Sequence, residues 1–457
     1  MSACLNRVRA LVADFARRRD GVVALLFALL LPVLLAFMLG LIDYTRASTT
    51  QLALQTNLDA AALYIARSTA TTPADVQAMG ERMMKANEAN LKHGTATSYT
   101  FTMTQDQRVV ATAAATVPVT IAGLLGTSQV PVAASAEVTR SSNNIEVGLA
   151  LDITKSMEGQ DLTDLKAAAK DLIDLVVKDQ QTPYYSKVAL VPYSMAVNVG
   201  TYANQIRGTP KKNCTTYGCE RYTFDSTARD NKNKPVPVTL NVSTCVTERS
   251  GADAYTDTAP GTAPLGMNYP APATEGNPCL SSTIVPLSSN RTTLKNTVGN
   301  FVAQGSTAGH IGLAWAWYMV SPNFASLWSG ESKPAAYGTR ELIKVVVMMT
   351  DGAFNTPYYN GVIASDAGSG SGSTKINHVA VNGSSFSQAD KLCTSMKAAG
   401  VIVYTVGLGV GSDAQANAML TKCATSSKHV YFPSSGSSLK DAFRAIGQDI
   451  NSLRISK

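Results

Sequence analysis

Asp152-Ile153-Thr154-Lys155-Ser156 is the stretch on which the reading of this chain turns. A largely apolar run, Ile145 to Leu151, leads into it. A second apolar run, Leu342 to Met349, leads into Thr350-Asp351-Gly352, and between the two lies Gly305-Ser306-Thr307-Ala308-Gly309. Two carboxylates and three hydroxyls are thereby set at strand ends or in glycine-bearing loops. Hard divalent cations take oxygen ligands. Ligands of parallel α/β sheets collect at the carboxyl ends of strands. Alternate residues of an extended loop can point the same way, so Asp152, Thr154 and Ser156 can converge.

Around this stretch, residues 144–457 alternate strand and helix. Strands are expected at 145–152, 187–193, 342–349, 401–408 and 429–432. Helices are expected at 161–178, 291–303, 308–320, 386–399, 413–423 and 437–453. Near-continuous apolar strands separated by helices imply an α/β fold with a doubly wound, mostly parallel sheet. Residues 200–290 break the rhythm. They hold nine of the nineteen prolines and four cysteines, which marks a disulfide-bearing insertion rather than a disordered linker. A Gly/Ser-rich loop, 360–385, lies near the proposed site.

The pattern D-x-T-x-S at Asp152, Thr154 and Ser156, then Thr307, then T-D-G at Asp351, resembles the metal-ion-dependent adhesion site of von Willebrand factor type A domains. The resemblance implies that Asp152, Thr154, Ser156, Thr307 and Asp351 hold Mg²⁺ (or Mn²⁺ or Ca²⁺). Thr154 departs from the usual pattern, where Ser is commoner; it keeps the hydroxyl and adds a methyl. A site with few direct anionic ligands leaves its cation electrophilic and ready for a carboxylate supplied by a partner protein. In the alternative reading the fold is kept and these side chains merely cap loops.

Residues Gly21 to Ile42 run for 22 positions without a charge. As a helix they span about 33 Å, enough for a bilayer. Arg7, Arg9, Arg17, Arg18 and Arg19 precede the run and Asp43 follows it. The positive-inside rule then puts residues 1–20 in the cytoplasm, 21–42 in the membrane and the rest outside. A cleaved signal peptide fits less well, because the run is long and no small-x-small site closes it. A pilin-type leader cut near Gly21 lacks the usual Glu, with Ala24-Leu25-Leu26 in its place.

Cysteine usage agrees with that topology. Cys4 falls inside and alone; Cys214, Cys219, Cys245, Cys279, Cys393 and Cys423 fall outside, an even number suited to disulfides. Cys393 and Cys423 lie on two expected helices flanking one strand and can bridge. A zinc site lacks a nearby His and a matching second pair. The net charge of +7 is scattered, with no basic patch interleaved with aromatics, so nucleic acid is not an expected partner.

Residues 43–140 read as a small α+β domain. Leu54, Leu58, Ala61 and Ile65 recur every three or four positions, so 43–68 continues the membrane helix outward with one apolar face. That face either packs within the domain or docks a partner helix. A second helix is expected at 73–92, and 98–118 and 129–139 alternate like strands. The remaining residues, 141–457, form the larger domain.

A further resemblance is carried by Gly21-Val22-Val23-Ala24-Leu25 through Leu58-Asp59-Ala60-Ala61-Ala62-Leu63. Val191-Pro192-Tyr193-Ser194 with Val197-Asn198-Val199-Gly200 shares it. So do Gly312-Leu313-Ala314-Trp315 with Ser321-Pro322, and Lys397-Ala398-Ala399-Gly400 before Val401-Ile402-Val403-Tyr404-Thr405-Val406-Gly407. Cys423-Ala424 and the closing helix fit as well. Together these look like TadG-like Flp pilus-assembly proteins. The resemblance implies an inner-membrane, periplasm-facing binding or scaffold protein of the Tad apparatus, whose partners are pilus-assembly or pilin proteins. A surface adhesin is the competing expectation. A metal-dependent hydrolase is a weaker one, because no nucleophile–base pair surrounds His310 and a helix-start or surface histidine is expected there. Trp315, Trp317 and Trp328 are expected to pack in the core.

Overall fold

The computed structural model describes residues 13, 19–68, 70, 72–104, 108–120, 128–139 and 143–455. Cys4, Arg7, Arg9, Arg17 and Arg18, on which the topology argument draws, lie outside the described residues. The chain divides into two compact units, Met1–Ser141 and Ser142–Lys457.

The first unit is built on one unbroken helix, α1 (Arg19–Arg67), with Pro32 inside it. Helix α2 (Pro73–Ala86) follows, its first turn capped by the Thr72 hydroxyl accepting the Asp75 N–H at 3.1 Å. Asn87 ends α2, and a single 3₁₀ turn replaces the last residues expected to be helical. Strands β1 (Thr95–Met103), β2 (Arg108–Pro118) and β3 (Gln129–Thr139) form an antiparallel sheet with β2 central. Along β2 the buried positions alternate: Val109, Ala111, Ala113, Ala115 and Val117 point one way. Leu54, Leu58, Ala61 and Ile65 of α1 pack into the same buried cluster. That stripe is therefore a packing face for the helix's own sheet, not a free surface for a partner helix. The small alanines of β2 let the helix sit close. Earlier in α1 the side chains from Val23 to Ile42 are largely exposed and apolar. The described helix is long and apolar enough to cross a membrane, by length and composition.

The second unit is a mixed α/β body. In chain order its elements are β4 (Asn144–Asp152), α3 (Gln160–Val176), β5 (Ser186–Tyr193), β6 (Val197–Asn198), α4 (Ala203–Arg207), β7 (Arg221–Arg229), β8 (Pro235–Asn241), β9 (Cys245–Thr247), β10 (Gly266–Met267) and β11 (Val285–Ser288). Then come α5 (Arg291–Gly299), α6 (Gly309–Val320), β12 (Leu342–Thr350), β13 (Tyr358–Tyr359), β14 (Val362–Ile363), α7 (Ser385–Ala398), β15 (Ile402–Gly407), α8 (Ala414–Cys423), β16 (Val430–Tyr431) and α9 (Gly436–Ile455).

The main sheet runs β11-β5-β4-β12-β15-β16. Its strands pair in parallel except for β11, which pairs antiparallel with β5 at one edge. Strands β4 and β12 are buried almost end to end, as strands covered on both faces must be. Helix α6 lies close against β4: a Cβ added at Gly148 would sit 2.0 Å from the Ala316 carbonyl oxygen. Trp315, Trp317 and Trp328 are buried in this core, as expected.

Between β5 and α5 the expected insertion holds a β7–β8 hairpin, and its β9 and β10 form a three-stranded sheet, β10-β9-β6, with β6, which precedes it. It is shorter than 200–290, because Val285–Ser288 belongs to the main sheet. Four cysteines inside it pair as Cys214–Cys219 and Cys245–Cys279, with Cα separations of 5.7 Å in each. Cys393 on α7 and Cys423 on α8 form the third disulfide, with Cα atoms 5.1 Å apart. Its loop spans a sequence separation of 30. Replacing both Cys393 and Cys423 by alanine should lower unfolding stability by roughly 3 kcal/mol in the chain-entropy account. Denaturant titration of the double variant checks this, and an unchanged midpoint would refute it.

Candidate metal centre

Asp152 ends β4, Tyr193 ends β5 and Thr350 ends β12, three adjacent strands of the parallel sheet. Their register sets Asp152 directly beside Tyr193. Asp152 is fully buried and its carboxylate is held from several sides. The Thr154 N–H donates to Oδ1 at 3.0 Å, while Thr350 Oγ1 at 2.9 Å and the Tyr193 hydroxyl at 3.0 Å reach Oδ2. Tyr193 fits because Gly312 of α6 has no side chain: a Cβ there would lie 2.4 Å from the Tyr193 ring.

Thr154 and Ser156 do converge, with hydroxyls 2.9 Å apart. Thr154 is buried and Ser156 is exposed, so the group opens to solvent on the Ser156 side. Asp351 follows β12, and its Oδ1 is buried with no hydrogen-bond partner. The loop carrying Thr307 is tied to the loop after β4 through the backbone. Gln304 N donates to Ile153 O and Lys155 N donates to Gly305 O, both at 2.9 Å. Thr307 itself is buried, and its peptide group bonds Asn355: Thr307 N to Asn355 Oδ1 at 3.1 Å, Asn355 N to Thr307 O at 2.9 Å. Behind it Ser306 donates to Asn277, and Thr356 donates to Ser306 at 2.8 Å. The loop 360–385 reaches this network through Ser369, 2.8 Å from the Thr356 hydroxyl.

Electrostatics single out the two aspartates. Burial pushes Asp152 above the usual carboxylate range, against the lowering effect of hydrogen bonds from Thr154, Thr350 and Tyr193. Burial, and then the charge of Asp152, push Asp351 up to about 7, while the Ser156 hydroxyl works in the other direction. Two close carboxylates that disfavour each other's charge, one with an orphaned oxygen, fit a hard cation, and every donor in the group is oxygen. Asp152, Thr154, Ser156, Thr307 and Asp351 are the residues that would hold it, and it would supply a Lewis-acidic point for an outside carboxylate.

The raised Asp351 carboxyl makes a pH prediction for the metal-free protein. In the unfolded chain it ionises near 3.8, and in the fold near 7. It costs nothing below about pH 4, costs more as pH rises towards 7, and reaches its full cost above that. That difference corresponds to about 4 kcal/mol, and the partial exposure of Asp351 reduces the expected figure to about 2 kcal/mol. With EDTA present, Asp351→Asn should therefore melt higher than wild type at pH 8 and level with it at pH 4. A melting difference that ignores pH would count against this account.

Tyr193 and Asn355 were not expected in the group, and Thr350 was expected as part of T-D-G but not as a hydrogen-bond partner of Asp152. Only strand register brings Tyr193 to Asp152, and no sequence spacing announces it. His310 sits at the start of α6 as expected, but it is buried rather than at the surface. Its Nε2 lies 3.7 Å from Glu248 Oε2, and neither ring nitrogen has a hydrogen-bond partner. Among the described residues no hydroxyl or thiol is hydrogen-bonded to it, so the hydrolase expectation gains no nucleophile–base pair.

Comparison with curated proteins gives no match. Solved structures give low-identity matches. One is the vWF domain of the type V pili tip protein Mfa5 from Porphyromonas gingivalis: 12% identity, TM-score 0.37, covering 69% of this chain and 97% of that one. A second is the pilus adhesin RrgA from Streptococcus pneumoniae, at 12% identity and TM-score 0.37, covering 77% of this chain and 49% of that one. The adhesive tip pilin GBS104 from Group B Streptococcus agalactiae is a third, at 12% identity and TM-score 0.38, covering 67% and 99%. Over residues 21–67, which form most of α1, the chain matches the family model of Flp pilus-assembly TadE/G-like proteins.

Proposed function

We propose that this chain is a membrane-anchored binding and scaffold protein of Tad (Flp) pilus assembly, without catalytic activity. In this reading α1 anchors it in the bacterial inner membrane through residues 21–42. The N-terminus is cytoplasmic, and the chain from Asp43 onward faces the periplasm. Its larger unit is a von Willebrand factor A-like domain with a doubly wound sheet. A divalent cation, Mg²⁺ or Mn²⁺ or Ca²⁺, sits at Asp152, Thr154, Ser156, Thr307 and Asp351. A carboxylate of a partner pilus component completes its coordination.

The family match over residues 21–67 supports the pilus context. The observation that carries the grip is the orphaned Oδ1 of Asp351 beside the buried, hydrogen-bonded Asp152. Three disulfides support an oxidising compartment, where such bonds persist. The test is capture of pilus components by the detergent-solubilised full chain, in Mg²⁺ and in EDTA. Pilus proteins should co-purify in Mg²⁺ and be lost in EDTA. Capture that resists the chelator would remove the cation from the grip. Capture of extracellular matrix proteins alone would favour the surface-adhesin reading.

A further inference from the structure

A cavity of about 290 Å³ lies in the second unit, and none of the five candidate cation ligands lines it. Its charged lining is Arg207, Arg249 and Glu248, a net of one positive charge. Two of these are held in part by the chain itself, although Glu248 Oε2 and Arg249 Nε have no hydrogen-bond partner. Glu248 accepts the Tyr358 N–H at 2.8 Å through Oε1 and faces His310 through Oε2. Arg249 donates to the carbonyls of Thr256 and Thr258, and its guanidinium lies over the rings of Tyr318 and Phe324.

Arg207 is different. It ends the short helix α4 and is only 7% exposed, yet its Nε and Nη1 have no hydrogen-bond partner. Among the described residues no carboxylate pairs with it. A buried charge without a counter-charge is costly, and burial accordingly pulls the Arg207 guanidinium below its ordinary pKa. Tyr217, also lining the cavity, is carried on the loop closed by the Cys214–Cys219 disulfide. Its hydroxyl oxygen accepts the Met267 N–H at 3.3 Å, which leaves its own proton free to be donated. Val381 and Ser250 line the cavity and are exposed, so it opens to solvent.

We propose that this cavity binds a small carboxylate through the Arg207 guanidinium and the Tyr217 hydroxyl, either as a free acid or as the carboxylate of a peptide entering past Val381. The planar fork of a guanidinium matches a carboxylate in two parallel hydrogen bonds. The cavity volume is at the lower end for ligand sites, which limits the occupant to a small acid or to one residue of a chain.

The test is calorimetry on the full chain in detergent, with EDTA throughout so that the cation centre plays no part. The probes are acetate, an acetylated tri-alanine with a free C-terminal carboxylate, and the same peptide amidated. Saturable binding of acetate or of the free peptide is expected, with the amidated peptide inert. Tighter binding of the free peptide than of acetate identifies a chain-borne carboxylate, and equal binding identifies a free acid. Arg207→Gln should weaken binding about tenfold or more, Arg207→Lys and Tyr217→Phe less. Without probe, Arg207→Gln should melt at or above wild type, because an unpaired buried charge is removed. Absence of saturable heat for both carboxylates would overturn the proposal. So would equal binding of the amidated peptide, Arg207→Gln binding within about twofold of wild type, or a markedly lower melting point for Arg207→Gln. Because EDTA is present, any of these results leaves the cation reading untouched.

Discussion

Asp152→Ala should lower Mg²⁺ affinity by about 100-fold or more, while leaving the fold intact. Asp152 is the point on which the group is organised: it is fully buried and fixes the turn at Thr154 through that residue's N–H. Losing it removes a charge and frees Thr154 and Ser156 from their common orientation. The protein has fallback hydrogen bonds for the groups left behind. The Tyr193 hydroxyl is also 2.9 Å from the Met349 carbonyl, and Thr350 Oγ1 is 3.3 Å from Gly352 O. Few polar groups are orphaned, so the loss in stability should stay near 1 kcal/mol. Titration calorimetry of wild type and variant against Mg²⁺ and Mn²⁺, with circular dichroism of both, decides it. Wild type without saturable heat, or a variant that binds as well, would reduce the group to loop-capping side chains.

The second large effect lies at the opposite end of the same strands. Lys344 of β12 and Glu146 of β4 are register partners, both buried, and form an ion pair at 2.5 Å. Glu146 also accepts from the Tyr185 hydroxyl at 3.0 Å and the Ala335 N–H at 2.9 Å. Lys344 also donates to the Val320 carbonyl at 2.7 Å, at the end of α6. Lys344→Met strands the Glu146 carboxylate in the core and leaves that carbonyl without its cation. The expected loss is about 3 to 5 kcal/mol, read from urea unfolding. Adding Glu146→Gln should recover much of it, since the uncompensated charge is then gone. Mg²⁺ affinity should hardly move, because the pair sits at the start of β12 and the candidate cation ligands at its end. A single variant as stable as wild type would show the pair to be unimportant.

How much of this was legible beforehand depends on the kind of signal. Strands β4, β5, β12 and β15 and helices α3, α6, α7, α8 and α9 fall within a few residues of where the apolar runs and the strand–helix alternation put them. A buried parallel strand writes itself as a continuous apolar run. Strand β11 was hidden because it is short, half-buried and contains Pro286, and it sits among residues that read as an insertion. The Cys393–Cys423 bridge followed from two helices flanking one strand. The insertion's four cysteines allow three pairings that sequence alone does not rank. Asp152, Thr154 and Ser156 were visible as a spacing. Tyr193 was not, because its role depends on strand pairing between residues 41 positions apart. His310 was placed at a helix start correctly, but it is buried, with Glu248 of a distant loop beside it.

Helix α1 has one more consequence, and it is mechanical. At 49 residues it is a rod about 74 Å long, more than twice the thickness of a bilayer core. The turns from Leu54 to Ile65 are clamped under the three-stranded sheet, and the apolar turns continue without a joint into the same rod. A tug on that sheet is therefore carried along one continuous helix, with no slack tether to absorb it. Twisting the apolar half likewise turns the sheet, as a shaft turns its blade. The helix's backbone hydrogen-bond ladder loses a donor at Pro32, within the apolar half, and that is where such a rod gives first under load.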